Sequence, residues 1–238
     1  MANELNIVLT GTITPSVPLA LPADPLARRD EYLAALSFYS QFAPVVFLEN
    51  SGYEIRTDRA FQVLRNVTSL ELPPSCLPER GKGYQEFEML ERWVTLNRNL
   101  PARFIKVTGR YLYRNFTALL ADCQVGSPAE MVIDLCPRSG RALSSLFCVE
   151  TQFFAERLRG LYRECDDRTG LWVEKMLYRQ LSSYPVDVVR SFAVEPDLSA
   201  ICGSTGQALA VSRGKFVAKQ AMRKLNYAFD RQRLWYKP

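Results

Sequence analysis

Apolar residues fall along the chain in short runs, and each run stops at a polar or glycine-bearing turn. "LNIVLTG" reads as a strand that ends in Thr10, Gly11 and Thr12. The following "ITPSVPLALPADP" is broken by Pro15, Pro18, Pro22 and Pro25 and reads as a loop. Its last residues form a helix start, with Asp24 as N-cap and Pro25 at the first helical position. Behind them Leu26, Tyr32, Leu33, Leu36, Phe38 and Tyr39 recur at helical spacing. "PVVFLENSG" predicts a second strand, Asp58 to Leu64 a short helix, and "VTSLEL" a third strand. "PPSCLPERGKG" reads as a loop, "YQEFEMLERWVTL" as a helix and "RFIKV" as the fourth strand. "YLYRNFTALLAD" predicts the next helix and "EMVIDL" the fifth strand.

Strands alternating with helices in this way predict an α/β fold, Rossmann-like, with a largely parallel sheet flanked by helices. The remainder predicts a helical C-terminal elaboration. "TQFFAERLRGLYREC" and "LWVEKMLYRQL" fit two amphipathic helices joined by the turn "DDRTG". "VDVVRSFAV" fits a strand, "EPDLSAICGSTGQAL" a loop, and Lys215 to Trp235 a basic terminal helix. No Gly-, Ser- or Pro-rich linker separates the halves, so a single domain over residues 1–238 is expected.

Composition narrows the chemistry. At 47% hydrophobic and 23% charged, the 238 residues are globular rather than disordered or fibrous. The net charge of +5 is mild, and a nucleic-acid binder usually shows a stronger or more concentrated excess. An acidic small ligand or an anionic membrane surface suits it at least as well. The chain has no histidine, which removes His-centred triads, imidazole acid–base chemistry and His-based metal sites. Any proton transfer falls to Asp, Glu, Lys, Tyr or Cys. The six cysteines show no CxxC spacing. With no signal-peptide pattern near the start and no run of roughly 18 apolar residues, a cytoplasmic protein with reduced thiols is expected.

In an open parallel sheet, ligands bind beyond the carboxyl ends of the strands. Four expected strand ends are polar: Thr10-Gly11-Thr12, Glu49-Asn50-Ser51-Gly52, Thr108-Gly109-Arg110 and Asp134. Ordinary turns use the same residues, so the shared position says more than any one of them. In "ERGKGYQE", Gly81 and Gly83 flank Lys82 just before a helix, where backbone N–H groups favour an anion. The spacing is neither that of a phosphate-binding P-loop nor that of a dinucleotide fingerprint, and a plain turn with a solvated lysine would look the same. In "KVTGRY", Lys106 lies within the strand and Arg110 past the turn. With Lys82 they could hold a diphosphate without a metal, or simply snorkel at a sheet edge. Ser204 and Thr205 in "CGSTGQ" suit a nest of N–H groups or a surface loop. Asp134, Asp166, Asp167, Glu86, Glu88 and Glu174 are the carboxylates nearest these loops, and Arg138 and Arg141 could extend a cationic rim. The C-terminal helix sets Lys215, Lys219, Arg223, Lys224, Arg231 and Arg233 among apolar residues. That pattern suits a membrane surface, or a helix packed on the core with a solvated outer face.

"NIVLTGTI", "RRDEYLAALSFY" followed by "VVFLENSG", "GKGYQEFEML", "FIKVTGRY" and the late "GSTG" occur in that order. In them the chain resembles bacterial proteins encoded with capsule, O-antigen or lipopolysaccharide biosynthesis, glycosyltransferases similar to the GT-A fold. The resemblance implies a nucleotide-sugar donor and a glycan or lipid-linked glycan acceptor. Residues 1–136 would form the nucleotide-binding half and residues 137–238 the acceptor side. It also implies that Thr10, Gly11 and Thr12 meet the nucleotide, with Lys82, Gly83, Lys106, Thr108, Gly109 and Arg110 lining the same pocket. GT-A enzymes typically hold Mn²⁺ or Mg²⁺ on a DxD. Here "VIDLCP" offers only Asp134 and "ECDDRTG" sits in a different context, so the metal is left open and the cations stand as substitutes. If stereochemistry inverts, a carboxylate must deprotonate the acceptor, with Glu86 and Glu174 ahead of Asp134. A non-catalytic α/β module binding nucleotides or phosphorylated ligands is the alternative, and no nucleic-acid role is expected.

Overall fold

The computed structural model describes residues 5–15, 24–124, 129–199 and 212–228. Nine strands are present among them: β1 (Leu5–Gly11), β2 (Val45–Glu49), β3 (Val67–Glu71), β4 (Arg103–Thr108), β5 (Leu112–Tyr113), β6 (Met131–Cys136), β7 (Arg141–Glu150), β8 (Val189–Arg190) and β9 (Leu198–Ser199). The α-helices are α1 (Pro25–Tyr39), α2 (Arg59–Gln62), α3 (Lys82–Leu96), α4 (Phe116–Asp122), α5 (Thr151–Phe153), α6 (Val173–Leu181) and α7 (Arg213–Ala228). Seven strands form one sheet in the order β3-β2-β1-β4-β7-β6-β8, and β5 pairs with β9 in a small ribbon.

Four of the six pairings in the large sheet are parallel: β1 with β2, β1 with β4, β2 with β3, and β6 with β8. Parallel strands need helical crossovers, so both faces are covered. Alternation along the strands sorts side chains between two cores. Ile7, Leu9, Ile105 and Val107 pack with α1 and α4, whereas Val8 and Phe104 pack against α3 and α6. Asp24 caps α1 as the sequence predicts, accepting from the Leu26 and Ala27 amides.

Several expectations are corrected. β7 was not foreseen; it runs antiparallel between β4 and β6, so a strand from the second half occupies the middle of the sheet. The helix expected over 111–122 starts only at Phe116, because Leu112 and Tyr113 pair with Ser199 and Leu198. The helix expected over 151–165 is a short α5 followed by a π turn, and it is interrupted at Gly160, which adopts φ 78°. The strand expected in "VDVVRSFAV" shrinks to Val189–Arg190.

The terminal helix α7 docks through charge. Arg223, fully buried, forks onto both Asp134 oxygens at 2.8 Å, bonds Glu195 through Nε at 2.9 Å, and donates to the Phe192 carbonyl at 2.8 Å. Asp134 also accepts the Phe192 amide at 3.1 Å. Asp134 is therefore a docking anchor buried under α7 and not the exposed strand-end acid that the sequence suggested. Replacing Arg223 with methionine would leave buried Asp134 without its arginine and take from Glu195 one of its two cations, the other being Lys219 at 3.6 Å. The expected loss is about 3–5 kcal/mol, read as a lowered denaturant midpoint.

Candidate functional site

A cavity of about 350 Å³ opens at the carboxyl ends of β1 and β4, bounded by α1, the start of α3, β7 and the residues entering α6. In the sheet register Thr10 lies beside Thr108, and Val8 beside Lys106. Thr10 and Lys106 thus share the α3 face at the base of the cavity.

Two turns are locked together behind this base. Glu49, fully buried at the end of β2, accepts from the amides of Ile13 (3.0 Å), Ser51 (2.9 Å) and Tyr53 (3.3 Å), and from the Ser51 hydroxyl. Thr12 donates its hydroxyl to Asn50 at 2.7 Å and its amide to the Tyr32 hydroxyl at 3.0 Å. A Cβ on Gly109 would strike the Thr10 carbonyl, and one on Gly11 would strike Phe47. These glycines serve close packing around Tyr32.

One wall is cationic. Arg28 is almost wholly buried; its Nε and Nη2 donate to the Thr12 carbonyl at 2.9 and 2.6 Å, and Nη2 reaches the Tyr32 hydroxyl at 3.4 Å. Arg110 pairs with Glu31. Both guanidinium carbons lie near the Tyr32 ring, 5.9 Å and 6.0 Å from its centroid. Burial lowers the Arg28 pKa from its ordinary value; the Tyr32 group opposes that shift and the charge of Arg110 adds to it. Glu31 offsets part of this repulsion, and the remaining positive charge on the wall favours an anionic occupant. Lys82 lines the same cavity.

The opposite wall and the base are acidic. Lys106, fully buried, donates to Glu86 at 2.7 Å, to the Thr108 hydroxyl at 3.0 Å and to the Ser144 carbonyl at 2.9 Å. Its charge is paired with Glu86 beneath the cavity, and it is not among the residues that line the cavity, where the sequence had placed it. Glu174 Oε1 accepts the Ser144 hydroxyl at 2.9 Å and has no cation within ion-pair distance among the described residues. Although Asp167 is an exposed residue, its carboxylate tucks against Gly81 and accepts the Lys82 amide, the first of α3. The N-terminus of α3, expected to be open to a ligand anion, already holds this carboxylate. Gly83 faces Val173 closely enough that a Cβ would clash, joining α3 to α6. Trp172, also on the wall, carries Arg141 and Lys175 over its ring, each 4.4 Å from the centroid.

Thr10 stands apart. Its residue is 2% exposed, it lines the cavity, and its hydroxyl has no hydrogen-bond partner among the described residues. A buried polar atom left unpaired is costly, and a bound ligand would supply the missing partner.

Of the residues expected from sequence, the cavity gathers Thr10, Gly11, Thr12, Lys82, Gly83, Glu86, Thr108, Arg110 and Glu174. Lys106 lies beneath them, Gly109 is buried behind Thr10, and Asp134 is held by α7. Ser204 and Thr205 lie outside the described residues. Arg28, Tyr32, Ser144, Ser145 and Trp172 were missed. Arg28 and Tyr32 were detectable, being four apart in a foreseen helix and hence on one face. Asp167 is engaged with the start of α3, and among the described residues no group of three or more acids or cysteines is arranged to hold a metal ion.

No protein-family model matches the chain, and no curated protein matches it by sequence. Among solved structures, the inositol-1-phosphate CTP transferase from T. maritima is 13% identical, with 81% of this chain and 86% of that one covered and a TM-score of 0.44. A Bacillus anthracis protein titled a glucose-1-phosphate thymidylyltransferase, in complex with sucrose, is 11% identical over 98% of this chain and 97% of its own, at a TM-score of 0.45. Mouse xyloside xylosyltransferase 1 is 10% identical over 80% of this chain and 84% of its own, at 0.41.

The Asp167 carboxyl has its pKa raised, first by burial, against the Lys82 amide, and with Glu174 adding to the rise. A carboxyl whose folded pKa exceeds its unfolded one costs no stability below the unfolded value, and the cost grows as pH rises through the folded value. Asp167→Asn, which keeps an acceptor for the Lys82 amide, is expected to raise the melting temperature at neutral pH. The gain should shrink as pH falls toward the ordinary carboxyl value of 3.8, and thermal melts across that range check it.

Proposed function

We propose that this cavity binds a nucleotide-sugar and that the protein is a glycosyltransferase, moving the sugar onto a growing bacterial surface glycan such as capsule or lipopolysaccharide. The observation that carries this reading is the Thr10 hydroxyl, without a hydrogen-bond partner among the described residues, in a cavity lined by Arg28 and Arg110 near Tyr32 and by Glu86 and Glu174, with Lys82 beside them at the start of α3. The surface-glycan acceptor comes from the sequence resemblance alone.

The donor's diphosphate lies along the cationic wall. Breaking the sugar–phosphate bond builds negative charge on the leaving diphosphate, and fixed guanidiniums stabilise it without reorganising. The sugar then faces the acidic wall. Glu86, braced by Lys106 and Thr108, holds sugar hydroxyls in place. Glu174 accepts the proton of the acceptor hydroxyl if stereochemistry inverts, because its partner is a neutral serine hydroxyl. Residues 1–136 supply the donor side, and Ser144, Trp172 and Glu174 the acceptor side.

A thermal-shift screen across UDP, GDP, CMP and their sugars, with and without Mn²⁺, is expected to show one selective stabilisation. Arg110→Ala should weaken the stabilising nucleoside diphosphate by at least about tenfold while leaving the bare nucleoside nearly unchanged. Thr10→Val should weaken the same ligand without lowering the melting temperature of the protein alone. Glu174→Gln should cut transfer by about 10²–10⁴ with donor binding intact. Selective binding with no transfer to any acceptor would favour the non-catalytic ligand-binding module instead.

A further inference from the structure

The terminal helix α7 has its amphipathicity turned inside out. The fully buried positions are polar, Arg223 and Asn226; Gln220 accepts the Glu195 amide at 2.8 Å, Tyr227 donates to the Ser191 carbonyl, and Phe216 and Met222 are half-buried beside them. The outward side holds Val217, Ala221, Leu225 and Ala228, spaced at i, i+4, i+8 and i+11 and all exposed. Val217 is 59% exposed and Leu225 54%. Exposed Arg213 and Lys224 lie on the same side, exposed Lys215 lies beside it, and residues 213–228 contain no aspartate or glutamate.

The Arg223 cluster fixes which way the helix faces. Rotating α7 to bury Val217 and Leu225 would pull Arg223 from Asp134 and Glu195. The outward face is therefore held outward, apolar and cationic together. Nucleic acid rewards the cations but gives nothing back for valine and leucine. A lipid surface with anionic headgroups rewards both, because small alanines let the helix lie flat while Val217 and Leu225 enter the acyl boundary. No helix among the described residues is long and apolar enough to cross a membrane, so the contact is a surface one.

We infer that the outer face of α7 docks the protein onto an anionic lipid bilayer. The inference is independent of what the cavity binds.

The test is sedimentation of the full chain with vesicles of phosphatidylglycerol and phosphatidylcholine, against phosphatidylcholine alone, at low and high salt. The expected result is binding to the anionic vesicles only, weakened by high salt. Arg213→Glu with Lys224→Glu should reduce partitioning at least about fivefold per charge removed. Val217→Ser with Leu225→Ser, which keep the cations and the net charge, should also reduce it, and Arg65→Glu, exposed near the opposite edge of the sheet, should not. Circular dichroism melts confirm that the variants fold, since every altered side chain is exposed. Failure to bind anionic vesicles at low salt, or binding indifferent to the α7 variants, overturns the inference. So does a wild-type dimer broken by Val217→Ser and Leu225→Ser, which would make the face an interface between copies, or RNA binding stronger than vesicle binding at equal salt.

Discussion

A lysine ammonium with no solvent exposure is tolerated only where its charge is paired and its protons are placed. Lys106 meets that demand with Glu86 from α3, Thr108 from its own strand and the Ser144 carbonyl from β7. Three separate elements are thereby tied at one point directly below the cavity. The ion pair fixes how close α3 stands to the sheet, and with it the position of Lys82 and Gly83 at the cavity rim. The polar groups above can face a ligand only because the charge below is settled.

The cavity has a division of sign that follows from topology. Its cationic side comes from α1 and from the turn after β4, its acidic side from α3 and the entry to α6. Parallel strands bring their carboxyl ends to one edge, so turns that are distant in sequence converge there. The Glu49 carboxylate reinforces this by cross-linking the turns after β1 and β2 through three amides. Strand-end polar residues thus divide into those that bind one another and those left facing the cavity, and Thr10 belongs to the second group.

Most of the first half was legible because its elements announce themselves: Asp24 and Pro25 open α1, and short apolar runs ending in polar turns mark β1, β2 and β4. β7 was hidden because Ser144 and Ser145 interrupt its apolar pattern, and both serines turn out to line the cavity. Residues 151–165 keep helical periodicity through a π turn and a 3₁₀ turn, which spacing alone does not tell from a continuous helix. The roles of Lys106 and Asp134 were misread for one reason. A charged residue near a strand end was taken to face a ligand, whereas Glu86 and Arg223 reach them from elements far away in sequence.

The placement of β7 reaches beyond the site. Because this antiparallel strand lies between β4 and β6, a nascent chain that has emerged only as far as Cys136 holds β4 paired on one edge alone, with β1, and β6 with neither of its neighbours. The edges that face each other stay open until Glu150 has left the ribosome. Synthesis, and not only sequence, therefore sets when this sheet can close, and a truncation at the midpoint would yield two sticky fragments instead of two working halves.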